Sequence, residues 1–294
     1  MIRRFLMVLS VIAGFVSAAP AAAQSAVSAD AAARALYRAG AYVEAAEMSA
    51  QGASADAKAF AAKSYAAAAV LADDFDRANA LADAALAQAS EAVNADPDDV
   101  EARLQLTVAL WLDGRRRGDL DAYFRGIPQR SRAVIEGVLA DAPSDASGDV
   151  SGEAWAHSLL GAWHFEAVRR GGGWARRTLG ADLAEGAEAF ELAMSLAPDD
   201  PVIAVQCGVS YLALDPELYA EPARAAFERA LAVVPRDDFE AALQARARVA
   251  LDLMAQGEMD ALAARVDFWV SGPAESEDRA ARRPGPNLRA GRRR

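Results

Sequence analysis

The chain has 294 residues, is 53% hydrophobic but only 7% aromatic, and carries a formal net charge of −11. One cysteine, Cys207, excludes an intramolecular disulfide framework. Setting aside Arg3, Arg4 and the seven arginines of 279–294 leaves −20 on residues 24–278, which argues against nucleic acid as a partner of the folded body.

The first element has the pattern of a leader. Arg3 and Arg4 precede an apolar run from Phe5 to Ala19, and Ala21–Ala22–Ala23 supplies small residues for cleavage. The run is shorter than the roughly 20 residues a spanning helix needs. Residues 1–23 are therefore expected to be a cleaved signal peptide, with the mature protein in the periplasm and 24–30 a flexible entry.

Helical pattern begins near Ala31, and the abundance of alanine, the best helix former, favours helix throughout. Gly40–Ala45 has the composition of a tight turn into a second helix. Further helix pairs are expected at 57–71 with 75–95, 100–112 with 130–141, and 153–170 with 183–196. Two more follow, 202–214 with 222–234 and 239–256 with 259–270. Asp74, and Asp98 or Asp99, are expected N-caps. No stretch alternates with period two, so no sheet is expected. Residues 271–294, rich in arginine, proline and glycine, are expected to be disordered.

Four helix endings recur along this series. Ala85, Ala92, Pro97 and Asp98 form the first, and Ile135, Val138, Pro143 and Ser144 the second. Phe190, Ala193, Pro198 and Asp199 form the third, and Phe227, Ala230, Pro235 and Arg236 the fourth. Leu160–Gly161 with Ala187 and Phe190, and Cys207–Gly208 with Tyr211, Ala223 and Phe227, complete the pattern. In these positions the chain resembles the tetratricopeptide-repeat (TPR) family, most strongly over 153–235. The resemblance implies an all-α, TPR-like α-solenoid of antiparallel helix pairs over residues 31–270. It also implies a protein or peptide partner on the concave face, and no catalysis.

The prolines lie 46, 55 and 37 residues apart, against a family repeat of about 34. Two units therefore carry insertions between their helices, Gly114–Gln129 and Gly171–Asp182, which repeat geometry would place along one edge. Long connections on a rigid scaffold tend to carry function. The insertions and their flanks concentrate positive charge and aromatics: Arg115, Arg116, Arg117, Tyr123 and Arg125 in the first, Arg169, Arg170, Trp174, Arg176 and Arg177 in the second. Guanidinium forks bind carboxylates and phosphates and stack on rings. These ten residues are the candidate binding site. Helix-end capping and internal salt bridges to Asp119, Asp121, Glu166 or Asp182 are the competing role.

Other chemistry is thinly represented. His157 and His164, the only histidines, lie two turns or about 10.5 Å apart on one helix, too far to chelate one metal together. Packing or hydrogen bonding is the role expected of them. Gly171–Gly173 lacks a phosphate-loop context and is expected to stop a helix. Neither a metal site nor a cofactor is expected. The leading expectation is a non-enzymatic scaffold for a protein or peptide. The alternative resembles the TPR-like periplasmic accessory components of solute transporters, with the arginine loops holding an anionic small ligand.

Overall fold

The computed structural model describes residues 21–117, 119–141 and 150–274. Within them the chain is all-helical, with thirteen helices and no strand. In order these are α1 (Ala21–Arg38), α2 (Tyr42–Ser49), α3 (Ala55–Leu71), α4 (Phe75–Ala95) and α5 (Val100–Arg115). Then come α6 (Asp119–Phe124), α7 (Ile127–Asp141), α8 (Val150–Leu179) and α9 (Leu183–Leu196). The last four are α10 (Pro201–Leu214), α11 (Ala220–Leu231), α12 (Asp238–Gln256) and α13 (Met259–Ser271). Residues 1–20 of the expected leader, most of the tail and Pro143 lie outside the described residues, and the expected cleavage after Ala23 falls within α1.

Aspartates start most of the long helices. Asp74, Asp99, Asp182, Asp200 and Asp237 each accept backbone N–H groups of the first turn, at 2.7–3.3 Å. These N–H groups have no partner within the helix, and the positive end of the helix dipole favours the carboxylate. Of the post-proline acid pairs, the second member does this work: Asp99 and Asp200 are the caps, one residue after Asp98 and Asp199.

Three segments differ from expectation. α1 runs through 24–30, where alanines extend the helix rather than leaving a flexible entry. The first insertion holds a helix, α6, with Asp119 and Asp121 in its first turn. In the second, α8 breaks at Gly172 (φ 51°, ψ −135°) but resumes and continues to Leu179. Glycine alone adopts that backbone without strain, so the triplet kinks the helix and redirects it.

All six helix pairs expected from the sequence are in contact, with α6 as an addition. Two cores of different texture result. In the N-terminal half Ala45, Ala59, Ala69, Ala85, Ala89 and Ala102 are wholly buried, so helix backbones approach closely. In the C-terminal half Phe165, Phe190, Leu212 and Phe227 fill the interior. There each large ring sits against a glycine. A Cβ on Gly208 would lie 2.5 Å from the Phe227 ring, and one on Gly161 would lie 2.8 Å from the Phe190 ring. This explains why Leu160–Gly161 and Cys207–Gly208 precede those phenylalanines in the repeated pattern.

The two ends of the helix series also meet. Tyr42 of α2 packs edge-on against Phe239 of α12, with ring centres 6.2 Å apart. Gly40, turning between α1 and α2 at φ 77°, abuts Asp238 so closely that a Cβ would lie 2.8 Å from its carboxylate. Arg246 of α12 donates to the Val70 carbonyl of α3 at 2.7 Å, across 176 residues of chain.

The glycine–ring contact gives opposite signs for one substitution at two helix-interior sites. Gly208→Ala should lower stability by about 1–3 kcal/mol, because overpacking outweighs the gain in helix propensity. Gly137→Ala, whose Cβ would meet nothing closer than 3.7 Å, should raise stability by up to about 1 kcal/mol. Urea denaturation of both variants checks this. A stabilised Gly208→Ala protein would mean that α10 and α11 do not pack as described.

Candidate functional site

The two insertions are brought together. Arg170 donates to Asp119 at 2.7 Å and to the carbonyls of Gly114 and Arg117. Tyr123 and Trp174 meet edge to face at 4.7 Å. Arg132 of α7 donates to the Leu179 carbonyl at 2.8 Å, fastening the far end of the second insertion.

Most of the candidate arginines hold carboxylates of their own chain. Arg116 and Arg117 converge on Asp113, a side chain only 7% exposed. Arg116 also reaches Asp83 and the Asn79 carbonyl, and Arg117 also reaches Asp121. Burial alone would push the Asp113 carboxyl up, but hydrogen bonds from Arg117 and Arg116 outweigh it and hold it below the usual carboxylate range. Arg125 pairs with Asp121 and Arg169 with Glu166. Arg176 and Arg177 are exposed. Arg115 differs from all of these: it donates to the Ala69 carbonyl at 3.3 Å and lies over the Trp111 ring at 5.3 Å.

His164 serves packing. It is buried and its Nδ1 accepts the Asp182 N–H at 2.9 Å, which ties α8 to the start of α9. Desolvation, the dominant influence, lowers its pKa, so the neutral ring that makes this bond is favoured. Cys207 is fully buried, and desolvation pushes its thiol far up, which keeps it from forming a thiolate.

What the inserted segments border is a partly open cavity of about 680 Å³, lined from α1, α3, α5, α6, α7, α8, α10, α12 and α13. This lies within the range of small-molecule sites, roughly 300–1,000 Å³. All five tryptophans of the chain line it: Trp111, Trp155, Trp163, Trp174 and Trp269. Two are fixed through their indole N–H groups, Trp155 to Asp200 at 3.2 Å and Trp163 to the Pro128 carbonyl at 2.9 Å. Guanidiniums lie over three, Arg115 on Trp111, Arg132 on Trp163 and Arg246 on Trp269. Leu120 and Tyr123 of α6 add to the wall.

Of the candidate residues, Tyr123, Arg169, Arg170 and Trp174 reach this wall. Sequence reasoning missed four of the tryptophans and Arg246. A signal for the tryptophans existed. An indole does not fit between closely packed alanine faces, so a tryptophan in an alanine-rich helix array belongs where helices stand apart.

No family model matches this chain. No curated protein and no solved structure matches it either. The likeness to tetratricopeptide repeats accordingly rests on the residues already named, and function must be argued from the cavity.

Two pairs of arginines should behave differently on removal. Replacing Arg116 and Arg117 by alanine leaves Asp113 buried without its cations and should cost about 3 kcal/mol or more. Replacing the exposed Arg176 and Arg177 should change stability by less than about 0.5 kcal/mol. Thermal and urea unfolding of the two double variants test this. Equal, small losses would contradict the assignment of Arg116 and Arg117 as internal struts.

Proposed function

We propose that this protein is a non-catalytic, TPR-like helical scaffold that holds a small, largely apolar ligand in its central cavity. The observation that carries the reading is the convergence of every tryptophan on one partly open cavity. Tryptophan offers a large apolar surface at low entropic cost, and such rings gather where ligands or partners are bound. A protein or peptide partner is less well supported, because α12 meets α2 and α3 through Phe239 on Tyr42 and Arg246 on the Val70 carbonyl, which narrows the groove such a partner would need. The pairing of successive helices supports a solenoid of antiparallel repeats. The leader-like sequence of residues 1–23 adds export to the proposal.

A ligand of this class binds in proportion to the apolar area it removes from water. Each added methylene should contribute about 0.8 kcal/mol, close to a fourfold gain in affinity, until the cavity is filled. Titration with straight-chain alkanols from octanol to dodecanol, read by intrinsic tryptophan emission, measures this directly. The expected outcome is saturable binding that tightens with chain length and is lost in a Val209→Trp variant, which fills part of the cavity wall. Emission that changes without saturation, or equally for every chain length, would contradict the proposal.

A further inference from the structure

Four residues of the cavity wall are themselves exposed to solvent: Asp119, Leu120 and Trp174 where the two insertions meet, and Arg236 before α12. The exposure at Arg236 is polar, since its guanidinium holds Glu240. The opening between α6 and the second half of α8 has an apolar rim. Leu120 is 72% exposed and Trp174 43%, and Phe124, beside the wall, is 79% exposed. Leu120, Tyr123 and Phe124 stand three and four positions apart and so share one face of α6. Tyr123 joins them to the second insertion, its ring centre 5.7 Å from that of Phe124 and 4.7 Å from that of Trp174.

Exposed apolar side chains scattered singly need no explanation, but a contiguous set around a cavity opening does. The fold does not require this one. Buried Ala122, and Asp119 held by Arg170, anchor α6. Leu120 and Phe124 are left standing in water.

Charge around the rim opposes that of the rest of the molecule. Residues 114–132 and 169–182 contain ten arginines against three aspartates, a net charge of +7 within a body whose net charge is −20. All three aspartates are engaged: Asp119 by Arg170, Asp121 by Arg117 and Arg125, and Asp182 by the first N–H groups of α9. Arg130 and Arg177 are exposed and hold no carboxylate among the described residues. Arg177 lies one turn beyond Trp174, and Arg130 is in the first turn of α7, directly after α6. Arg132 fastens that turn to the end of α8, so the two free cations flank the rim from two elements.

An anionic bilayer surface matches both properties. Its headgroup region favours tryptophan and tyrosine, and apolar side chains enter the acyl boundary. Its negative potential attracts arginine and repels the acidic remainder of the body, which orients the approach. An acidic protein would satisfy the arginines but gives no reason for the rim to surround a cavity opening. We infer that the face formed by α6, the start of α7 and the second half of α8 docks on an anionic lipid bilayer, with the cavity opening turned towards the lipid. The docking rests on the proposed function in one respect: a largely apolar ligand dissolves among acyl chains, and an opening applied to the bilayer admits it without passage through water.

The test is flotation of the full-length protein with vesicles of equal parts phosphatidylcholine and phosphatidylglycerol, or of phosphatidylcholine alone. Each arginine close to an anionic surface contributes about fivefold to binding, and salt screens that contribution. Wild type should bind the mixed vesicles at least about tenfold more tightly than the neutral ones and lose most of that preference at about 1 M salt. Arg130→Gln/Arg177→Gln and Phe124→Ser should each weaken binding to mixed vesicles by about fivefold or more. None of these three side chains is on the cavity wall, so both variants should keep their dodecanol affinity within about twofold, which also shows that they are folded. Lipids brominated along the acyl chain quench tryptophan on contact and locate the docked face. Wild-type emission should fall on docking, and Trp174→Phe should remove most of that fall.

Saturable dodecanol binding without vesicle binding would overturn the docking and leave the cavity standing. Vesicle binding that meets these expectations without dodecanol binding would overturn the ligand reading and leave the docked face. Equal affinity for mixed and neutral vesicles would overturn the inference. The seven arginines of 279–294 have no tryptophan among them. Attachment through that segment would survive both sets of substitutions and leave emission unquenched, which would also overturn it. So would a wild-type protein that is dimeric where Phe124→Ser is monomeric, since a second copy would then cover the rim.

Discussion

The structure depends on the contact that brings α12 back to the N-terminal helices. Arg246 on the Val70 carbonyl, Phe239 on Tyr42 and Asp238 against Gly40 link segments about 170–200 positions apart in the sequence. Local propensity cannot supply such a contact, and its closure entropy is offset only because the intervening helices already hold the ends near one another. Its consequence is topological. Helices from both ends of the chain thereby line one partly open cavity, with Lys63 and Val70 of α3 on the same wall as Leu243 and Arg246 of α12.

The remaining packing divides according to what it must accommodate. Wholly buried alanines set close helix approaches in the N-terminal half, where little volume separates the backbones. In the C-terminal half the rings of Phe190 and Phe227 occupy the room left by Gly161 and Gly208, and a cluster from Phe165 to Tyr211 and Tyr219 carries the packing towards the cavity. The insertions fasten this arrangement on one side. Arg170 ties Asp119 to α8, and Arg116 with Arg117 holds the end of α5 through Asp113. Charge in this region therefore serves mainly as internal support.

The helices were legible in the sequence because their signals are local. An aspartate beside a proline, an alanine-rich run and a glycine turn each act within a few residues, and Asp74, Asp99 and Gly40 behave as those signals require. A repeat pattern led to the expectation that the two insertions are neighbours, and Tyr123 does meet Trp174. The roles of the arginines were not legible. Arg116 finds Asp83 33 residues away and Arg115 finds Ala69 46 residues away, and no motif spans those separations. Arg246 sits in an ordinary helical stretch, and only closure of the array gives it a position on the cavity wall.

The contact of α12 with the N-terminal helices therefore sets the shape of the cavity. Spin labels placed by Arg38→Cys and Ala245→Cys, both exposed positions on α1 and α12, report it by pulsed electron–electron resonance. Buried Cys207 stays unlabelled. One short, narrow distance distribution is expected in the ligand-free protein, because the contact belongs to the fold and not to a bound state. A broad distribution extending to long distances would contradict it, for the array would then be open and the cavity a groove.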